Sequence, residues 1–462
     1  MMALARMTIA LFHLGFSISA SVLENSIADV PGIPSIAVHF STKGRYEEVN
    51  TYLINDILAV NATLPLLPSA ECRAVHLTAV IRHGTRYPTT KNVRKMRDFY
   101  DLVQTNASDW MQAVGLSEWK MWYTDDMDGR LVRKGQEDHT HLAQRLAKSF
   151  PTLINEDNLR NGRMKIITSS KHRCVNSTIS FKAGLMKALG IEGEELEHEV
   201  NDALMRFFDQ CPRFRSEVED NKNALLEMDK FHRGPEMQRV YEKIADRLQV
   251  PYSAITEEMA EAALYFCAYE LAIHSVNSPW CQLFDEVDAQ VMEYEADLKH
   301  YWKRSYGHEI NSKASCNLFH DVFKRIDKAA SDLSSGQAVV SEAVTVQVGH
   351  AETLLPLLTL LGLFREATPL TASNFAHHNS ARVFRAGRIV PYAGNLVLAL
   401  YHCDDGLRLE TRLNEQPLLL PGASSYFPLL EEVKRSYAGL LQGCDQAAEC
   451  ALPSAGPQVT SQ

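Results

Sequence analysis

The sequence predicts an α/β fold: an open, mostly parallel sheet flanked by helices, with a mostly helical domain inserted into it. Two observations carry this reading. Three short apolar runs with β-branched members each end in a charged or polar turn and lead into a helical pattern, which is the grammar of a parallel α/β sheet. Between about residues 190 and 335 the texture changes to long polar helical patterns with almost no strand signal.

The elements follow in order. Residues 74–81 (AVHLTAVI) read as a buried strand, ending at Arg82-His83-Gly84-Thr85-Arg86 before helical spacing over Thr89–Gln104. Residues 164–168 (MKIIT) are a second strand, followed by Ser169-Ser170-Lys171-His172-Arg173 and a helix to Leu189. Three helical stretches come next: Ala224–Leu248, broken at His232-Arg233-Gly234-Pro235, then Glu257–Ile273 and Glu286–Lys303. Residues 343–348 (AVTVQV) are the third strand, followed by Gly349-His350-Ala351-Glu352 and the apolar helix TLLPLLTLLGL. Residues 391–402 (PYAGNLVLALYH) read as a late sheet strand. The expected organisation is a signal peptide over 1–20, a discontinuous α/β domain over 21–189 and 340–462, and a helical insertion over 190–339.

Composition narrows the function classes. A chain of 462 residues, 45% hydrophobic and 23% charged, has ample material for a large core. Its formal net charge of −10 argues against a nucleic-acid or anionic-membrane binder. Arg6, the apolar run Met7–Ile18 and the small residues Ser19, Ala20 and Ser21 read as a cleaved secretory signal, leaving no membrane anchor. Nine cysteines follow, so at least one stays unpaired. Cys267/Cys281 and Cys444/Cys450 are close enough in sequence to close small loops, and no cysteine has zinc-finger spacing. Sequons at Asn61, Asn106 and Asn176 fit the same secretory route.

Ligands bind outside the carboxyl ends of strands in an open parallel sheet. The three turns lie at such ends and together bring Arg82, His83, Arg86, Arg173, His350 and Glu352. Converging cations repel one another unless an anion joins them, and guanidinium forks match phosphate oxygens. His83 is the candidate nucleophile, kept neutral by its cationic neighbours. Arg82, Arg86 and Arg173 are candidate holders of the phosphoryl oxygens, with His350 donating one more hydrogen bond. Glu352, the only carboxylate in the three turns, is the candidate general acid. Lys91, Arg133 and Lys171 are candidates for a basic rim. The pairs His139/His141 and His377/His378 read as core or surface histidines rather than metal ligands. Cys174 reads as a packed or paired cysteine, not a nucleophile.

The stretch Arg82-His83-Gly84-Thr85-Arg86-Tyr87-Pro88 resembles the signature of the histidine acid phosphatases. Gly349-His350-Ala351-Glu352 resembles their second signature in its Glu variant, and Ser169–Arg173 their distal-arginine segment. The resemblance is closest to the multiple inositol polyphosphate phosphatases and runs from about residue 70 to 450. RFFDQC (206–211), SPWC (278–281), YWKRSY (301–306), HAETLLPLL (350–358) and VPY (390–392) support it. It implies a histidine nucleophile, a Glu proton donor, inositol polyphosphates including phytate as substrates, and no metal or other cofactor. Vertebrate-type members often end in an endoplasmic-reticulum retention signal. This chain ends Val-Thr-Ser-Gln, which favours secretion or an endolysosomal route. The same residues also suit a broad-specificity acid phosphatase, a bisphosphoglycerate phosphatase or mutase, or a non-catalytic polyphosphate-binding protein.

Overall fold

β1 (Arg73–Arg82) is buried over its last eight residues, as an apolar run covered on both faces must be. This computed structural model describes residues 32–107, 115–193 and 196–452, apart from the side chain of His378. The signal segment over 1–20 and the final Val-Thr-Ser-Gln lie outside the described residues.

After β1 come α1 (Thr90–Asn106) and α2 (Arg133–Ser149). β2 (Met164–Thr168), α3 (His172–Leu189) and the two-residue β3 (Glu199–Val200) follow. The longer helices after β3 are α4 (Pro235–Leu248), α5 (Glu257–His274), α6 (Glu286–Arg304) and α7 (Cys316–Ser334). β4 (Val344–Gly349) leads into α8 (Ala351–Leu360). β5 (Asn395–Cys403), β6 (Gly406–Leu413) and β7 (Gln416–Pro417) complete the sheet.

The seven strands lie in the order β3-β2-β4-β1-β5-β6-β7. The β3-β2-β4-β1 half is parallel, and β5, β6 and β7 add an antiparallel flank. The sheet is therefore mixed, with a parallel core. The sequence does not single out β6 or β7: β6 buries the polar residues Glu410, Thr411 and Arg412, so no apolar run marks it, and β7 is two residues long. β4 sits between β1 and β2 although it follows them by a long stretch of chain. Arg82 pairs with Gly349 and Thr168 with Val348, so the three turns end side by side. α7 packs on β1, and α2 packs along α3. One buried apolar cluster runs from Leu77, Val346 and Leu398 in the sheet to Phe266, Trp280 and Leu298 in the helices.

Four disulfides join Cys72–Cys403, Cys211–Cys450, Cys267–Cys281 and Cys316–Cys444, and Cys174 is free and buried. The expected Cys267–Cys281 loop is present. The expected Cys444–Cys450 loop is not. The short helix Gln446–Cys450 separates the two residues, and each reaches a different partner further up the chain. Among the described residues, no helix is long and apolar enough to cross a membrane.

Candidate active site

The parallel register of β1 and β4 places two histidines next to each other. The His83 N–H donates to Gly349 O at 2.9 Å, and the His83 and His350 rings meet edge to face with centroids 5.7 Å apart. His83 Nδ1 lies 2.9 Å from Gly84 O. A carbonyl can only accept, so Nδ1 carries the proton and Nε2 the lone pair. Burial depresses the His83 pKa well below the usual value, with Arg173, Arg82, His350 and Arg86 adding to the effect. The sequence assigned this neutrality to the arginines; burial is the larger cause.

Each arginine is held differently. Arg82 Nη1 donates to Thr42 O at 2.8 Å and Val390 O at 2.7 Å, and its guanidinium lies 4.4 Å from the Tyr392 ring centroid. Burial pulls its pKa down to about 10. Arg86 Nη1 donates to Tyr87 O at 2.7 Å and approaches the Tyr269 hydroxyl at 3.5 Å. Arg173 Nη2 donates to His350 Nδ1 at 3.2 Å. His350 therefore carries its proton on Nε2, which faces Ser169 Oγ at 2.9 Å. Burial, then Arg173, hold the His350 pKa down to about 3, so it is neutral. The Nε–H groups of both Arg82 and Arg173 are buried without a partner. Buried donors of this kind are rare, and two in one charged cluster mark a place built for an acceptor.

Glu352 is half-buried in the first turn of α8, where a helix N-terminus favours negative charge. Burial alone would raise its pKa, but Arg304 and Arg173 outweigh it and hold the carboxyl below the ordinary range. Among the described residues, no group of three or more His, Cys, Asp or Glu is arranged to hold a metal. His139 is fully buried with Nε2 3.0 Å from Arg82 O, which gives it a structural partner. Cys174 donates its S–H to Gly349 O at 3.2 Å, and burial raises its pKa to about 12.

The six residues from the three turns come together; the rim candidates do not behave alike. Arg133 points outward, its side chain 91% exposed and paired with Glu137 at 2.9 Å. Its neighbour Lys134 turns inward instead, to Asp138 and to Glu47 at 3.1 Å. Lys91 and Lys171 are exposed at the starts of α1 and α3. Three further basic side chains were missed. Lys43, Lys299 and His300 line a cavity of about 100 Å3, with the Lys43 ammonium 5.0 Å from the Tyr265 ring centroid. Burial and Lys43 and Lys299 hold the His300 pKa down to about 3, with Glu352 and Arg82 also acting on it. Thr42 joins this cavity to the histidine cluster: its carbonyl oxygen accepts from Arg82 Nη1 at 2.8 Å, and its Oγ1 lies 3.5 Å from His300 Nε2. Tyr392, Arg304 and Arg206 sit in the VPY, YWKRSY and RFFDQC stretches already noted. Lys43 had no such signal, lying in an N-terminal segment without strand or long helix.

Comparison with known proteins places the chain in a family. Over 432 residues the chain is 44% identical to multiple inositol polyphosphate phosphatase 1 of Gallus gallus, covering 92% of this chain and 95% of that protein. The Homo sapiens protein of the same name is 43% identical over 448 residues, covering 92% and 91%. The crystal structure of a phytase from D. castellii shares the fold, with a TM-score of 0.73, 15% identity and coverage of 91% of this chain and 88% of that one. So does the multiple inositol polyphosphate phosphatase of Bifidobacterium longum in complex with inositol hexasulfate, with a TM-score of 0.65, 14% identity and coverage of 86% and 96%. Residues 75–415 match the family model described as histidine phosphatase superfamily (branch 2), and with these relatives the chain belongs to that family.

Proposed function

We propose that the protein hydrolyses inositol polyphosphates, phytate and its lower phosphates, through a phosphohistidine on His83. The observation that carries this reading is a neutral histidine with its lone pair on Nε2, beside two arginines whose buried Nε–H groups lack acceptors. The relatives named multiple inositol polyphosphate phosphatase 1 support the substrate class.

Nε2 attacks phosphorus, and an N–P bond forms as the P–O ester bond breaks. The ring becomes cationic, and the Nδ1–H bond to Gly84 O strengthens with that charge. Arg82, Arg86 and Arg173 take the phosphoryl oxygens, whose negative charge the transition state spreads. His350 is engaged at both nitrogens, by Arg173 and Ser169, so it contacts phosphate only by releasing one of them. Glu352 gives its proton to the departing inositol oxygen. Water then attacks the phosphorus as the N–P bond breaks and its electron pair returns to Nε2, Glu352 takes the water's proton, and inorganic phosphate leaves. Bound phosphate is anionic and raises the Glu352 pKa, which is what makes a carboxyl otherwise held low able to carry that proton. Lys43 and Lys299 add positive charge next to the cluster, which suits a substrate bearing several phosphates better than a simple monoester.

The four disulfides fit a secreted or endolysosomal protein. In that setting the exposed Asn106 and Asn176 are glycan acceptors. Asn61 is 6% exposed, and its Nδ2 donates to Glu415 O and Gln416 Oε1, so it serves packing. The deciding experiment is incubation of the purified protein with phytate, with separation of products and acid-free quenching to find the label. Intact phytate that stays bound would instead fit a polyphosphate-binding protein. Rapid hydrolysis of aryl phosphates with phytate untouched would fit a general acid phosphatase.

A further inference from the structure

The turn that carries His83 is held from behind by two helices. From α2, His139 Nε2 donates to Arg82 O at 3.0 Å. From α3, Ser177 Oγ accepts the Gly84 N–H at 3.0 Å. The next residue, Thr85, is gripped twice by one oxygen: Asp138 Oδ2 accepts its N–H at 3.0 Å and its hydroxyl at 2.7 Å. Backbone packing leaves no slack here. A Cβ on Gly84 would lie 2.3 Å from Gly135 O, and one on Gly135 would lie 2.1 Å from Thr85 O. The start of α2 is thus pressed directly on the turn.

Asp138 is itself fixed. It is 6% exposed, and its second oxygen meets Lys134 Nζ one helical turn away. Lys134 Nζ also lies 3.1 Å from Glu47 Oε2, in the segment that brings Thr42 to Arg82 and Lys43 to the neighbouring cavity. A buried carboxylate with both oxygens satisfied by a cation and two donors is rigid, and it gains little by moving.

Resting on the reading of His83 as nucleophile, we propose that Asp138 is a positioning residue for the phosphoryl transfer. By clamping Thr85 it sets the backbone between His83, two residues before, and Arg86, one residue after, so that nucleophile and oxygen-holding guanidinium converge on one phosphorus. Asp138 does not touch the reacting atoms. Its effect is on alignment, and in-line transfer is sensitive to misplacement of about 1 Å, which costs on the order of 100-fold.

The test compares Thr85→Val, Thr85→Ser, Asp138→Asn and the Asp138→Asn/Thr85→Val double variant with the wild type. The readouts are phosphohistidine formation in single turnover, steady-state kcat and KM on an aryl phosphate and on phytate, and thermal midpoint. Thr85→Val is nearly isosteric and puts a methyl group where the hydroxyl was. It is expected to slow phosphorylation about tenfold with KM changed less than about twofold, while Thr85→Ser stays near wild type. Asp138→Asn turns one carboxylate oxygen into an NH2 group that competes with Lys134, and is expected to slow phosphorylation by about 30-fold or more. The double variant is expected to be no slower than Asp138→Asn, because both changes release the same clamp. A Thr85→Val enzyme that phosphorylates at the wild-type rate overturns the proposal. So does an Asp138→Asn loss that disappears once rates are scaled to the folded fraction. Should the wild type form no phosphohistidine on His83, the nucleophile assignment fails separately, and steady-state turnover of the same variants still decides whether Asp138 aligns the site.

Discussion

His83 Nδ1 donates to the carbonyl oxygen of Gly84, the adjacent residue, at 2.9 Å. The bond needs no water and no second side chain, so it is present whatever the substrate. It commits the ring to one tautomer and leaves Nε2 as the atom with a lone pair. It also turns the imidazole so that its plane is fixed by its own backbone.

The first prediction concerns the bond to phosphorus. Wild-type protein quenched during turnover should carry phosphate on Nε2 of His83 and not on Nδ1, which 31P–15N correlation on labelled protein distinguishes. His83→Ala should lose at least about 10⁴-fold in kcat, the scale seen when a nucleophile is deleted from an intact anion site. It should still bind phytate. Label recovered on Nδ1, or on Glu352, would show that the hydrogen bond to Gly84 does not direct the attack.

The second concerns acid pH. Burial and the neighbouring cations depress the His83 pKa, so the neutral, nucleophilic form persists well below the ordinary histidine value near 6.5. The sign is fixed: a lowered pKa means that protonation, and the loss of the lone pair, comes only at lower pH. The acid limb of kcat/KM reports the free enzyme. Measured on an activated aryl phosphate, it should therefore show no break near 6.5. A clear fall through that value on acidification would mean His83 is solvated and ordinary, contrary to its 3% exposure.

The turns were legible in the sequence because each is a local event: a strand ends, charged or polar residues follow, a helix begins. That grammar located Arg82, His83, Arg173 and Glu352 without any knowledge of pairing. What it could not give was the order of strands. β4 lies between β1 and β2, and this is what sets His83 against His350. The disulfides show the same limit: Cys444 and Cys450 are neighbours in sequence, and tertiary contacts sent them to Cys316 and Cys211. Arg133 and Lys134 show it at a finer scale. Consecutive helix positions point about 100° apart. Only the packing of α2 against the turn decides that Lys134 goes in and Arg133 out.

The third prediction concerns the cavity beside the cluster. Among the described residues Lys43 makes no ion pair, only the approach to the Tyr265 ring, and burial together with Lys299 and Arg86 lowers its pKa. A second phosphate would satisfy it. Lys43→Ala should raise KM for phytate by about tenfold or more, the value of one charge-assisted hydrogen bond. An aryl phosphate has no second phosphate, so its KM should change by less than about twofold. Equal effects on both substrates would place Lys43 at the transferred phosphate rather than beside it.

The fourth prediction concerns Glu352 and the leaving group. An inositol oxygen leaves poorly unless it is protonated as the bond breaks, whereas an aryl oxide leaves largely unaided. Glu352→Gln keeps the shape of the side chain but removes its transferable proton. General acid catalysis contributes about 10² to 10⁴ in rate, so kcat on phytate should fall within that range. On an activated aryl phosphate, the rate of phosphohistidine formation should fall less than about tenfold. The pH dependence provides a second check. In this structure Arg304 and Arg173 outweigh burial and hold the carboxyl below its ordinary range, so without substrate it is ionised at neutral pH. Bound phosphates oppose those cations and raise the pKa, so kcat on phytate should decline as pH rises through the value in the complex. The Gln variant cannot ionise and should lose that limb. An equal fall on both substrates, with the alkaline limb unchanged, would mean that Glu352 orients the substrate against Arg304 and His350, and the proton donor would have to be another group.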